Sequence, residues 1–158
     1  MTPPTMYHLS LRLVLFGVLA APGIAAAADV SFCDGYAEKA AHEAALAQRL
    51  ACAFHGPRWV KDAEAHRAWC LGAQKSVVQA EGAARSKDLR LCMCQWYADE
   101  AAAQAAMNAE HQCQFTGPRW TLDRSAHYRW CVLAKAPLAT LESEVETRKE
   151  ALAECLNR

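Results

Sequence analysis

The chain has 158 residues with 17 basic and 17 acidic side chains, and no basic stripe runs along it, which argues against nucleic acid or an anionic membrane as partner. Its eight cysteines are an even number and all lie beyond residue 32, which reads as four disulfides made in an oxidising compartment. Alanine supplies 28 of the 130 residues after Ala28, and no isoleucine follows Ile24, a composition that favours helix but builds a thin core.

Residues 1–28 read as a cleaved signal peptide. A weakly basic start with Arg12 precedes an apolar stretch from Leu13 and an alanine run that places cleavage after Ala28. The apolar stretch is about 15 residues long, is broken by Gly17, Pro22 and Gly23, and is short for a membrane span of roughly 20. The residues before Cys33 read VSF, without the small-residue pattern of a lipoprotein site. The expected product is secreted or periplasmic, with no membrane insertion after cleavage.

The rest of the chain is written twice. Aligned without gaps, 19 of the 41 positions from Cys33 to Ala73 are identical to those from Cys94 to Ala134, far more than an alanine-rich composition gives by chance. The second copy then gains two residues, and the match resumes as Glu81/Glu144, Arg85/Arg148, Leu89/Leu152 and Cys92/Cys155. Residues 33–92 and 94–155 therefore form two tandem units with four cysteines each and Met93 between them.

Each unit reads as three helical segments, so the expected class is all-α: two disulfide-stapled three-helix units. The first segment spans 33–52, where Tyr36, Ala37, Ala40, Ala41, Ala44 and Ala45 recur on one face as a packing surface. The loop 53–61 holds a Gly-Pro turn. Asp62 and Asp123 stand where N-caps are expected, each opening a short helix through His66, Trp69 and Cys70 or their copies. A third helix closes the unit; in the second copy it starts after Pro137, with Leu138, Leu141, Val145 and Leu152 on one face. Glu81 and Arg85, like Glu144 and Arg148, stand four apart and can pair along it.

Helix geometry limits the disulfides. Cys33 and Cys52 would bracket one helix about 28 Å long, whereas bridged Cα atoms lie within about 7 Å. Two patterns remain. The expected one joins Cys52 to Cys70 across the loop and Cys33 to Cys92, with Cys113–Cys131 and Cys94–Cys155 in the second unit. The crossed alternative joins Cys33 to Cys70 and Cys52 to Cys92.

Arg58, Trp59 and His66, with Arg119, Trp120 and His127, are the candidate binding residues, because Arg and Trp dominate binding hot spots. An Arg–aromatic pair also suits a carboxylate or a sugar ring. The competing reading makes Trp59 a core plug, Arg58 a structural ion pair and His66 a buried ring bonded to a carbonyl or carboxylate. Trp69-Cys70 and Trp130-Cys131 read as rings packed over disulfides. Trp96 has no counterpart and suits the inter-unit junction or a partner site. Asp62 and His66 share a helix face, but two ligands do not make a metal site. No metal, cofactor or catalytic residue is expected, and no nucleophile or phosphate-loop motif occurs.

The pattern C-x2-YA-x2-AA, C-x-F-x-GPRW-x2-D-x3-H-x2-WC, E-x3-R-x3-L-x2-C resembles a cysteine-rich helical repeat of exported bacterial proteins. The resemblance covers nearly all of residues 33–155 and implies export and an all-helical fold; it brings no activity or ligand. The expected function is a non-enzymatic interaction or structural module acting on a protein or envelope component. The alternative is a two-site binder of a small anionic or carbohydrate ligand.

Overall fold

The computed structural model describes residues 28–157, so the expected signal peptide lies outside the described residues save Ala28. The fold is all-α. Among the described residues five helices follow in order: α1 (Val30–Arg49), α2 (Ala63–Leu71), α3 (Lys75–Glu110), α4 (Arg124–Ala134) and α5 (Leu138–Leu156). Single 3-10 turns at Pro57–Trp59 and Pro118–Trp120 precede α2 and α4. No helix among the described residues is long and apolar enough to cross a membrane.

Capping sets the helix limits. Asp29 accepts the amide of Phe32 and starts α1 ahead of the first cysteine. The helix stops at Leu50, short of Cys52, because Ala51 turns to a left-handed φ of 54° and the amides of Ala51 and Cys52 fold back onto the carbonyls of Gln48 and Ala47. The second unit ends its first segment in the same way, with Gln112 at φ 53° and the Cys113 amide on Asn108. Asp62 and Asp123 cap α2 and α4, accepting the amides of Ala65 and Ser125 respectively. Gly56 and Gly117 open the 3-10 turns at φ 87° and 93° with extended ψ, a region essentially closed to residues bearing a Cβ. That explains why both copies keep glycine before Pro-Arg-Trp.

The disulfides correct the expected pairing. They are Cys33–Cys70 and Cys52–Cys92 in the first unit, Cys94–Cys131 and Cys113–Cys155 in the second, with Cα separations of 5.5, 6.0, 5.5 and 5.7 Å. The reason is the path of the chain. α2 runs antiparallel to α1 and brings Cys70 back beside Cys33. α3 then starts only a few residues later at that same end, as the Lys75–Asp29 ion pair marks. Cys92 lies about 26 Å further along α3, where it meets Cys52 and cannot reach Cys33. In the chain-entropy account a closed loop of this size stabilises by about 4 kcal/mol.

The boundary at Met93 is not a break. The third helix of unit one and the first helix of unit two are one continuous helix, α3, of 36 residues. Cys92 and Cys94 lie two positions apart on it and so point about 200° apart, the first toward α1's end and the second toward α4. Each unit packs its own core around its first disulfide: Ala28, Cys33, Cys70 and Val78 in one, and Cys94, Tyr97, Ala101, Cys131, Leu141 and Val145 in the other. Half-buried Trp96 packs against the second core and faces Leu50 and Phe54 across a groove, which puts it at the junction of the units. An exposed ion pair, Arg49–Glu142 at 2.7 Å, also ties α1 to α5.

Candidate binding clefts

The Gly-Pro-Arg-Trp turn gives its Trp and its Arg different partners, with the Arg58 guanidinium still 6.0 Å from the Trp59 ring centroid. Trp59 turns inward and stacks on Phe54 with ring centroids 4.1 Å apart; Trp120 stacks on Phe115 at 4.7 Å. Both are half-buried packing residues of the loop. Arg58 reaches to acids on α3 and Arg119 to an acid on α5.

There each unit has a cleft. The first, of about 380 Å³, is lined by Tyr36, Pro57, Arg58, Val60, Ala65, His66, Trp69 and Glu81. The second, of about 300 Å³, is lined by Tyr97, Pro118, Arg119, Thr121, Ala126, His127, Trp130 and Glu144, with Arg148 added. The eight paired positions are identical in the two units except Val60/Thr121.

The indole of Trp69 lies tilted against Tyr36 at 5.5 Å, and that of Trp130 against Tyr97 at 5.2 Å. Both tryptophans stay 43% exposed, so each presents an open ring face to the cleft as a shelf. His66 and His127 are each 4% exposed and stand edge-on to the same tyrosines. Their Nε2–H groups donate to the carbonyls of Val60 and Thr121 at 2.9 Å, which fixes both rings as walls of the cleft. Burial holds the His127 imidazolium below its usual pKa against the raising effect of the Thr121 bond, and nearby Arg148 adds to the depression. Burial also pushes the Tyr36 hydroxyl upward, helped by the Glu81 carboxylate.

The ionic groups differ between the units. Arg58 bonds Glu81 at 2.6 Å and Asp88 at 3.3 Å. Among the described residues Arg119 pairs with Glu144 alone, at 3.1 Å. The pairing along the third helix holds in the second unit, where Arg148 lies 3.8 Å from Glu144. It does not in the first, where buried Arg85 reaches across to Glu43 and the Ala40 carbonyl and covers the Trp59 ring at 4.5 Å.

Of the residues expected to bind, Arg58 and His66 meet in the first cleft and Arg119 and His127 in the second, whereas Trp59 and Trp120 lie outside them. The shelf residues Tyr36, Trp69, Tyr97 and Trp130 and the acids Glu81 and Glu144 were not expected there. Their signal was identity between the copies, read above as packing for the aromatic rings and as pairing along the third helix for the two acids. All eight cysteines are bonded. Among the described residues no three metal-binding side chains gather. Comparison with protein-family models, curated proteins and solved structures finds no match to this chain.

Proposed function

We propose that the chain is an exported, non-enzymatic binding module that offers one small-ligand cleft in each unit. One observation carries this reading: two separate clefts share seven of their eight paired lining residues, and each leaves an indole 43% exposed at its mouth. An exposed indole beside an Arg–Glu pair and a locked histidine suits a ligand with one apolar ring face and polar or charged edges. A carbohydrate or a small ring-bearing anion has that form, and the partner would be an envelope component that displays it. The disulfides fit the oxidising environment in which such a component is met. Trp59, Trp120 and their stacked phenylalanines favour the structural reading for that part of the repeat alone.

The test is a titration of the oxidised protein with monosaccharides and small organic acids, following the indole N–H resonances of Trp69 and Trp130. Movement of these two signals, with those of Trp59 and Trp120 unchanged, is the expected result. If no sugar or acid moves either shelf tryptophan, the clefts are not ligand sites and the repeat serves the fold.

A further inference from the structure

We infer that the two clefts are not equivalent and that the second is a carboxylate site for a single-ring acid. This rests on the reading of the clefts as ligand sites. In the first cleft Arg58 faces two carboxylates, Glu81 and Asp88. In the second, two guanidinium groups, Arg119 and Arg148, share the one carboxylate of Glu144. The sequence makes the change at two positions: Glu43 becomes Gln104 and Asp88 becomes Ala151.

The first change re-aims the buried arginine. Arg85 is held away from its cleft by Glu43 and by the Trp59 ring. Arg148 finds no acid at Gln104, whose amide nitrogen donates instead to the Val145 carbonyl at 2.9 Å. It swings onto Tyr97, donating to the hydroxyl at 2.8 Å, and becomes part of the cleft lining. Arg148 is only 1% exposed, and two of its nitrogens, Nε and one terminal nitrogen, have no hydrogen-bond partner among the described residues, against one terminal nitrogen each on Arg58 and Arg85. Buried N–H donors on a charged group left without acceptors are costly, and a carboxylate is the acceptor that matches a guanidinium. The Trp130–Tyr97 shelf then takes the ring that carries it.

The experiment compares glucuronate, glucose and benzoate on the oxidised full-length mature chain, by calorimetry and by the Trp69 and Trp130 indole signals. A charged hydrogen bond predicts that glucuronate or benzoate binds the second cleft at least about tenfold more tightly than glucose, one per chain, and moves Trp130. Glucuronate against benzoate tells whether the ring is a sugar or an arene. Gln104→Glu returns to Arg148 the partner that Arg85 has, and Arg119→Gln removes a half-exposed guanidinium without touching the core. Each is expected to weaken the carboxylate about tenfold or more. Equal binding of glucose and glucuronate, or equal movement of both shelf tryptophans by the acid, overturns the inference while leaving the clefts as ligand sites. Silence of both tryptophans under all three probes removes the clefts and the inference together.

Discussion

Arg148 donates a hydrogen bond to the hydroxyl of Tyr97, while its copy Arg85 makes no such bond to Tyr36 and lies on Trp59 instead. One repeated arginine thus serves a cleft in one unit and a loop in the other. The position that differs is on the first helical segment of each unit: Glu43 pairs with Arg85, whereas its copy Gln104 donates to the Val145 carbonyl.

The two kinds of tryptophan separate by mutation. Trp59→Ala removes a stacked ring and the platform of a buried guanidinium, and is expected to destabilise by about 2–4 kcal/mol. Trp69→Ala, at an exposed shelf, is expected to cost about 1 kcal/mol or less while abolishing ligand response in the first cleft. Thermal unfolding of the oxidised variants measures both; equal losses would contradict the division of labour.

The left-handed helix stops make a prediction of opposite sign to the glycine turns. Ala51→Gly and Gln112→Gly relieve about 1–2 kcal/mol of left-handed strain against roughly 0.4–1 kcal/mol of added unfolded-state entropy. Each should raise the melting temperature by up to a few degrees. Gly56→Ala and Gly117→Ala force a Cβ into a region it avoids and should destabilise by about 1–3 kcal/mol.

Asn108 clasps the loop of the second unit through both its amide groups, accepting from the Phe115 amide at 3.0 Å and donating to its carbonyl at 2.9 Å. The first unit has Ala47 there. Asn108→Ala should cost about 1–3 kcal/mol by orphaning partly buried backbone groups of Phe115, read as a lower denaturation midpoint. A neutral result would mean that Trp120 alone secures the loop.

Nonreducing digestion and mass spectrometry check the crosslinks. Fragments joining Cys33 to Cys70 and Cys52 to Cys92 are expected; a fragment joining Cys52 to Cys70 would refute the path of α2. Replacing one pair with serine should destabilise by about 2–5 kcal/mol.

Stability should also depend on His127. Its folded pKa lies below the usual value of about 6.5, so the native state binds that proton less readily than the unfolded chain. The contribution is complete above about pH 6.5 and declines as pH falls from there through the folded pKa. The depressed carboxyl of Asp29 acts separately, below its usual 3.8. Between pH 7.5 and 5, His127→Gln should flatten the fall in melting temperature; an unchanged slope would place the effect elsewhere.

Much of this fold was legible in the sequence because duplication marked it. Asp62 and Asp123 as caps, the short α2 and α4, and the start of α5 after Pro137 all follow from local signals. The crossed disulfides did not, since choosing between two pairings needs the direction of α2, which cysteine spacing does not contain. The helix stops were hidden because Ala51 and Gln112 adopt left-handed geometry without a glycine to announce it. The clefts were half visible: Arg58 and His66 stood out by chemistry, whereas Tyr36 and Trp69 looked like core until α2 was laid across α1.

The unbroken α3 fixes how the clefts could be used. Glu81 and Tyr97, one from each cleft, sit 16 residues apart on that helix, so they are separated by about 24 Å along its axis and about 160° around it. A rod with its grips on opposite sides does not clamp one straight strand twice. If both clefts take ligands, the continuous helix keeps the two bound molecules apart and on different sides of the chain.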